Sequence, residues 1–204
     1  QVAVKFVQKT PNTKYISTPF HPEPLPLEIA LAIISNWGLS CPNIIQVLDW
    51  QDDPEHHVMI MEHPLPGVNM HKFLKLNRGV LKEHTAQRIM QKVIYAISIC
   101  CYQGVFHGDI KLTNLLINLS TLEVKLIDFG CGDLMRDSAY LSFRGMHYVS
   151  RFVVSLLSFC TECCNFMQDC VQRHPEHMLP LEHMHCHDWF LLGFPMHVTQ
   201  PECI

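Results

Sequence analysis

Three polar residues between Val105 and Gly132, namely Asp109, Asn114 and Asp128, have the types and spacing to hold a divalent cation and to take a proton. Asp109 and Asn114 are five positions apart with Lys111 between them, and Asp128 follows fourteen residues after Asn114. The apolar runs LLINL and EVKLID on either side of Ser120-Thr121-Leu122 read as the arms of a hairpin. A turn there would fold Asp128 back beside Asn114. One amide and one carboxylate so placed suit Mg²⁺, which keeps few protein ligands and takes phosphate oxygens for the rest. Asp109 would stand beside the cation without binding it, free to accept a hydroxyl proton. The competing reading is an ordinary hairpin with polar turn residues, which would not require this spacing.

The elements that must position these groups are legible on both sides. Leu81–Gln103 is the strongest helix, with Ala86, Ile89, Met90, Val93, Ile94, Ile97 and Cys101 on one face and Gly104 as a stop. It leads straight into the polar stretch. Upstream, Val2–Val7 alternates around Lys5 and reads as a strand. Thr10 to Pro26, rich in proline and polar residues, reads as a loop, and Pro26 opens the short helix LEIALAIIS. Glu28 is that helix's only charge; it needs a partner if buried, or solvent at the first turn if not. Ile44–Trp50 and His57–Glu62 read as two further strands joined by the turn QDDPE.

The run His107-Gly108-Asp109-Ile110-Lys111-Leu112-Thr113-Asn114, followed by Asp128-Phe129-Gly130, resembles the protein-kinase pattern H-x-D-x-x-x-x-N and then D-F-G. QVAVK, LPLEIAL, VLDW, the EHPLP stretch with Pro64, NRGVL and KLIDFGCGDLM are similar to the Pim serine/threonine kinases. The similarity covers most of Gln1–Ser150 and, more loosely, Phe159–Phe190. It implies an α+β, bilobal protein-kinase-like fold, with a partial N-lobe over 1–63 and a C-lobe over 64–204. It implies binding of ATP and Mg²⁺ and transfer of the γ-phosphoryl group to Ser or Thr of a protein substrate. Ala3 would lie over the adenine and Leu116 beneath it. Lys5, held by Glu28, would position the α/β-phosphates. Met61 and Glu62 would open the hinge that touches adenine, where Pro64 offers no N–H. Asn114 and Asp128 would hold Mg²⁺, Asp109 would deprotonate the hydroxyl, and Lys111 would steady the γ-phosphate. A monomer in the cytoplasm or nucleus is the expected setting.

Four departures bear on activity. No glycine-rich loop precedes Gln1, so the N-lobe is expected to be incomplete. Gly108 replaces the arginine of the catalytic loop. After Asp128 the pattern breaks: Met146 follows Gly145 and Arg151 follows Ser150, so a shortened C-lobe, deleted after about residue 150, is expected. Asn69, Lys72 and Thr113 stand where Pim kinases carry the acids that hold basic substrates, so a preference for arginine-rich substrates does not carry over. Two functions follow: a serine/threonine kinase of impaired activity, or a catalytically inactive pseudokinase that keeps a nucleotide-like cleft as an interaction module.

Composition narrows the field. Of 204 residues 48% are hydrophobic and 17% charged, which is globular rather than disordered. The net charge of −4 gives no basic footprint over the chain and argues against a nucleic-acid binder. Gln1 opens no signal peptide, and the apolar run near Arg151–Cys160 is too short to span a bilayer. The ten cysteines fit a reducing compartment. Cys160 and Cys163, with His174, His177, His183, His185 and His187, raise a zinc reading. The pair falls mid-helix in Ser155–Val171, on the stripe Leu156, Leu157, Cys160, Cys163, Cys164, Met167 and Cys170, which favours buried thiols.

Overall fold

The fold is taken from a computed structural model, which describes residues 1–38, 40–63, 66–135, 161–170, 177 and 179–191. Strand β1 (Val2–Gln8) alternates exposed and half-buried positions as one face of a sheet requires. It runs antiparallel to β5 (His56–Glu62) in unbroken register, Lys5 opposite Met59. β5 also pairs with β4 (Val47–Asp52), giving the order β1-β5-β4. The strand expected over Ile44–Trp50 therefore starts later. Ile44 and Ile45 instead run beside Leu126, with Ile45 N donating to the Leu126 carbonyl at 2.9 Å.

The stretch expected as a loop over Thr10–Pro26 contains a hairpin, β2 (Tyr15–Thr18) against β3 (His21–Pro26). Its end is pinned by Leu27 N donating to the Lys14 carbonyl at 2.8 Å. Helix α1 (Leu27–Ile34) follows directly, with Pro26 at its N-cap and Ile29, Ala30, Leu31 and Ala32 buried.

In the remaining part, β6 (Gly67–Asn69) enters α2 (Met70–Leu76), where the Asn69 side chain caps the helix by accepting from Lys72 N. The long helix expected over 81–103 is α3 (Glu83–Tyr102), ended by Gly104 at φ +70°. β7 (Val105–Phe106), a 3₁₀ turn (Leu112–Asn114), β8 (Leu115–Asn118), β9 (Val124–Leu126) and β10 (Asp133–Leu134) follow. β6, β8 and β9 form one antiparallel sheet, and β10 pairs with β7. The expected turn is present: Asn118 Oδ1 accepts from Ser120 N and Thr121 N, and Leu122 takes φ +57°.

Of the helix expected over Ser155–Val171, Thr161–Cys170 is described (α4), and Cys160 lies outside the described residues. A 3₁₀ turn (Leu181–Cys186) and the one-turn helix α5 (Asp188–Leu191) come last. The core is continuous from α1 through α3 to α4 and α5. Among the described residues no helix is long and apolar enough to cross a membrane.

Candidate active site

A cleft of about 360 Å³ lies between the β1-β5-β4 sheet and the β6-β8-β9 sheet. All six residues expected around a nucleotide, Ala3, Lys5, Glu28, Met61, Glu62 and Leu116, line it together with Asp128. Ala32, Ile45, Met59, Ile127 and Phe129 complete its apolar walls and were not singled out from sequence. Their strand and helix periodicity marks them as core, and only the fold shows which core positions face the cleft.

Lys5 is the hub. Its Nζ lies 2.5 Å from Glu28 Oε1 and 2.7 Å from Asp128 Oδ1. Of the two readings left open for Glu28, a buried carboxylate with a partner or a solvated one in the first turn, the structure has the first. Burial works against a charged lysine here, but hydrogen bonds and charge from Asp128 and Glu28 outweigh it and raise the Lys5 pKa above its usual value. Asp128 shows the mirror effect: burial opposes its charge, while the Lys5 bond and charge and the Gly130 N–H hold its carboxyl below the usual range. Asp128 takes φ +70°, a conformation that aspartate tolerates better than most residues. Phe129 is buried against the His107 ring, with centroids 4.7 Å apart, which fixes the chain on the far side of Asp128.

The catalytic-loop residues converge as the spacing required. Asn114 Nδ2 donates to the Asp109 carbonyl at 2.9 Å and to Asp109 Oδ2 at 3.0 Å. Ile127 N donates to the Asn114 carbonyl at 2.9 Å, so the β8–β9 hairpin returns Asp128 to the side of Asn114. Lys111 Nζ lies 2.5 Å from the same Oδ2, and this bond raises the pKa of the exposed lysine. Both neighbours therefore fall on Oδ2, and neither contacts Asp109 Oδ1. His107, not singled out from sequence as functional, is buried; it donates from Nε2 to the Ile127 carbonyl at 3.0 Å and accepts from Asp109 N at Nδ1. Its place as the first residue of the H-x-D-x-x-x-x-N run was the available signal.

The donor set fits a hard cation that takes oxygen. The Asn114 amide nitrogen is engaged by Asp109, so Oδ1 is its remaining ligand atom, and Asp128 Oδ1 faces Lys5, so Oδ2 is open. Among the described residues no cluster of three or more His, Cys, Asp or Glu could hold a metal. Cys160 and His174 of the zinc reading lie outside the described residues. Cys163 and Cys170 are fully buried, as thiols on a core stripe should be.

Glu62 turns its side chain to Lys125 Nζ, 2.6 Å away, and to Gln46 N at 2.9 Å. It thereby ties the end of β5 to β9 across the cleft. The break after residue 135, Pro64 of the hinge and the substitutions around Gly145 and Ser150 lie outside the described residues.

Comparison with known proteins supports the same assignment. The model of the protein kinase domain family matches residues 1–152. The chain is 34% identical over 155 residues to serine/threonine-protein kinase pim-2 of Danio rerio, covering 74% of this chain and 50% of that one. It is 33% identical over 144 residues to serine/threonine-protein kinase prk-2 of Caenorhabditis elegans, covering 71% and 31%. The chain thus spans about half the length of the first relative and about a third of the second. Among solved structures, that of Rad53 1-466 in complex with AMP-PNP superposes with a TM-score of 0.67 at 20% identity, covering 79% of this chain and 54% of that one. At that identity the likeness is one of fold. With three quarters of its length matched by the family model and its cleft assembled as described, this chain belongs to the protein kinase domain family.

Proposed function

We propose that this chain is an ATP-dependent serine/threonine protein kinase of the Pim kind. The observation that carries the reading is Lys5, held between Glu28 and Asp128 in a cleft walled by apolar residues. Phosphoryl transfer asks the protein mainly for positioning and charge. Lys5 supplies charge for the α/β-phosphates, and Glu28 keeps it from collapsing wholly onto Asp128. Ala3 and Leu116 sandwich the base. Asp109 takes the hydroxyl proton on Oδ1 while Asn114 and Lys111 hold Oδ2. Lys111, exposed and tethered only to Asp109, swings to the γ-phosphate as negative charge arrives. Asn114 Oδ1 and Asp128 Oδ2 would hold Mg²⁺, which when bound draws charge off the transferring group.

A second reading, a pseudokinase that binds nucleotide without transfer, is favoured by Gly108, which leaves Asp109 without the neighbouring arginine of active family members. One experiment separates them. Thermal melting with Mg·ATP should stabilise the chain by roughly 2.7 kcal/mol at a hundredfold excess over Kd, and Asp128→Ala should abolish the shift. Phosphorylation of a Ser/Thr peptide that is lost in Asp109→Asn supports the kinase. A shift without transfer supports the pseudokinase. A cooperative melt with no shift refutes the nucleotide site.

A further inference from the structure

From His63 to Lys82 the sequence holds four Lys or Arg residues, two histidines and no Asp or Glu, while the rest of the chain carries eleven cations against nineteen acids. A cationic stretch in an acidic protein is usually just a solvated face. Here its place in the fold argues otherwise. β6 pairs with β8 so that Asn69 lies opposite Leu116, the cleft residue, and α2 begins at the next position. The buried side of α2, Met70, Phe73 and Leu74, packs onto β8 and the 3₁₀ turn that carries Asn114. Its other side, with Lys72, Lys75 and Leu76, is exposed, and Arg78 and Val80 continue it beyond the helix. Leu76 is 60% exposed and Val80 54%, so apolar surface lies among the cations. Among the described residues no carboxylate is paired with Lys72, Lys75 or Arg78, and the cleft carboxylate Glu62 and the loop carboxylate Asp109 are taken by Lys125 and Lys111.

We propose that this face of α2 and the turn after it docks an acidic segment of the protein substrate, with an apolar residue of that segment against Leu76 and Val80. The inference rests on the kinase reading of the cleft, since it makes the docked partner the phosphoacceptor. Unneutralised cations beside a catalytic loop lower the energy of an anionic peptide there and steer its approach. The anionic groups are those of Asp and Glu or of an already phosphorylated residue.

The test measures binding separately from transfer. In the full chain carrying Asp109→Asn, the affinity of labelled Ser peptides flanked by Glu, by phosphoserine or by Arg is read by fluorescence anisotropy. The Glu peptide should bind roughly fivefold or more tighter than the Arg peptide, the advantage shrinking as salt rises. Lys72→Glu with Lys75→Glu should reverse the order while leaving the melting temperature unchanged. A larger gain for phosphoserine than for Glu identifies a primed substrate as the source. Equal or better binding of the Arg peptide, or a preference that survives the double reversal, overturns the proposal. So does tighter binding of a single-stranded oligonucleotide of equal charge. Docking of acidic peptide by a wild-type chain that transfers no phosphate would refute the kinase reading alone.

Discussion

Gly108, next to Asp109, sits where its surroundings admit only glycine. Its φ is +79°, and a Cβ built on it would lie 2.1 Å from the Cys131 carbonyl oxygen and 2.9 Å from its carbon. That neighbour is backbone and cannot rotate away. Nor can it shift freely, because the next residue, Gly132, is itself packed so that a Cβ would meet Leu31 Cδ1 and the Phe106 carbonyl at 2.8 Å. The loop of Asp109 and the chain after Asp128 are therefore pressed together through two glycines. Gly108→Ala should lower stability by about 2–3 kcal/mol, combining left-handed strain with displacement of residue 131. Melting of the variant checks it; an unchanged midpoint would mean the two segments part readily. Sequence conveyed half of this scale. Glu28 with Lys5 was legible because a lone carboxylate on an apolar helix needs a partner if buried, and the kinase resemblance named one. The Lys5–Asp128 contact was not, because local spacing does not report distances between separate stretches of chain, and the Lys111–Asp109 pair was not, because spacing within one loop does not say which way its side chains turn.

At the scale of elements the same division holds. The β8–β9 hairpin was legible because its turn chemistry is local: Asn118 caps it and apolar runs flank it. The β2–β3 hairpin was not, because Pro22, Pro24 and Pro26 lower the strand propensity of β3. A strand with a single partner tolerates prolines, whose missing N–H groups need not face the ladder. β4 starts at Val47 because the preceding residues bond to β9 instead, a tertiary choice that periodicity does not carry. One joint between elements makes a pH prediction. His107 links the end of β7 to Ile127 beyond β9, and burial lowers its pKa below the ordinary histidine value, against the raising effect of the Ile127 carbonyl and nearby carboxylates. The folded state holds it neutral, whereas the unfolded chain takes a proton near pH 6.5. Its contribution is thus complete above about pH 6.5 and is lost as pH falls from there toward the lowered folded value, at up to about 1.4 kcal/mol per pH unit. In divalent-free buffer, wild type should lose stability over that interval faster than His107→Gln. Parallel curves would assign the acid sensitivity to other groups.

At the scale of the whole molecule, the segment beyond the family match completes the core. The two halves of the cleft are joined by short links, namely Asn43 Nδ2 to the Val124 carbonyl at 2.8 Å, Leu126 N to the Asn43 carbonyl at 2.8 Å, and Glu62 with Lys125. These hold only if β9 is itself fixed, and β9 lies on α3. The other side of α3 is held by residues that the family model does not cover. Phe166, Trp189 and Phe190 are at most 1% exposed, with Phe166 stacked on Trp189 at 5.2 Å and edge-on to Phe190 at 5.1 Å. Trp189 Nε1 donates to Glu83 Oε1 at 3.1 Å, and Gln87 Nε2 donates to the Trp189 carbonyl, so the first turns of α3 are bonded to α5. This packing was foreseen only in the looser similarity over Phe159–Phe190, because aromatic residues state that they will be buried but not against what. If α4 and α5 are part of one cooperative core, Trp189→Ala should destabilise the whole chain by about 3–5 kcal/mol, while Trp189→Phe, which keeps most of the ring volume and loses the bond to Glu83, should cost less. The nucleotide-induced melting shift should weaken in the alanine variant although Trp189 does not line the cleft, since α3 carries β9 and the catalytic loop. Calorimetry distinguishes the outcomes. One transition moved down in temperature means a single core. An unmoved main transition means that the last described helices ride on a kinase fold that stands without them.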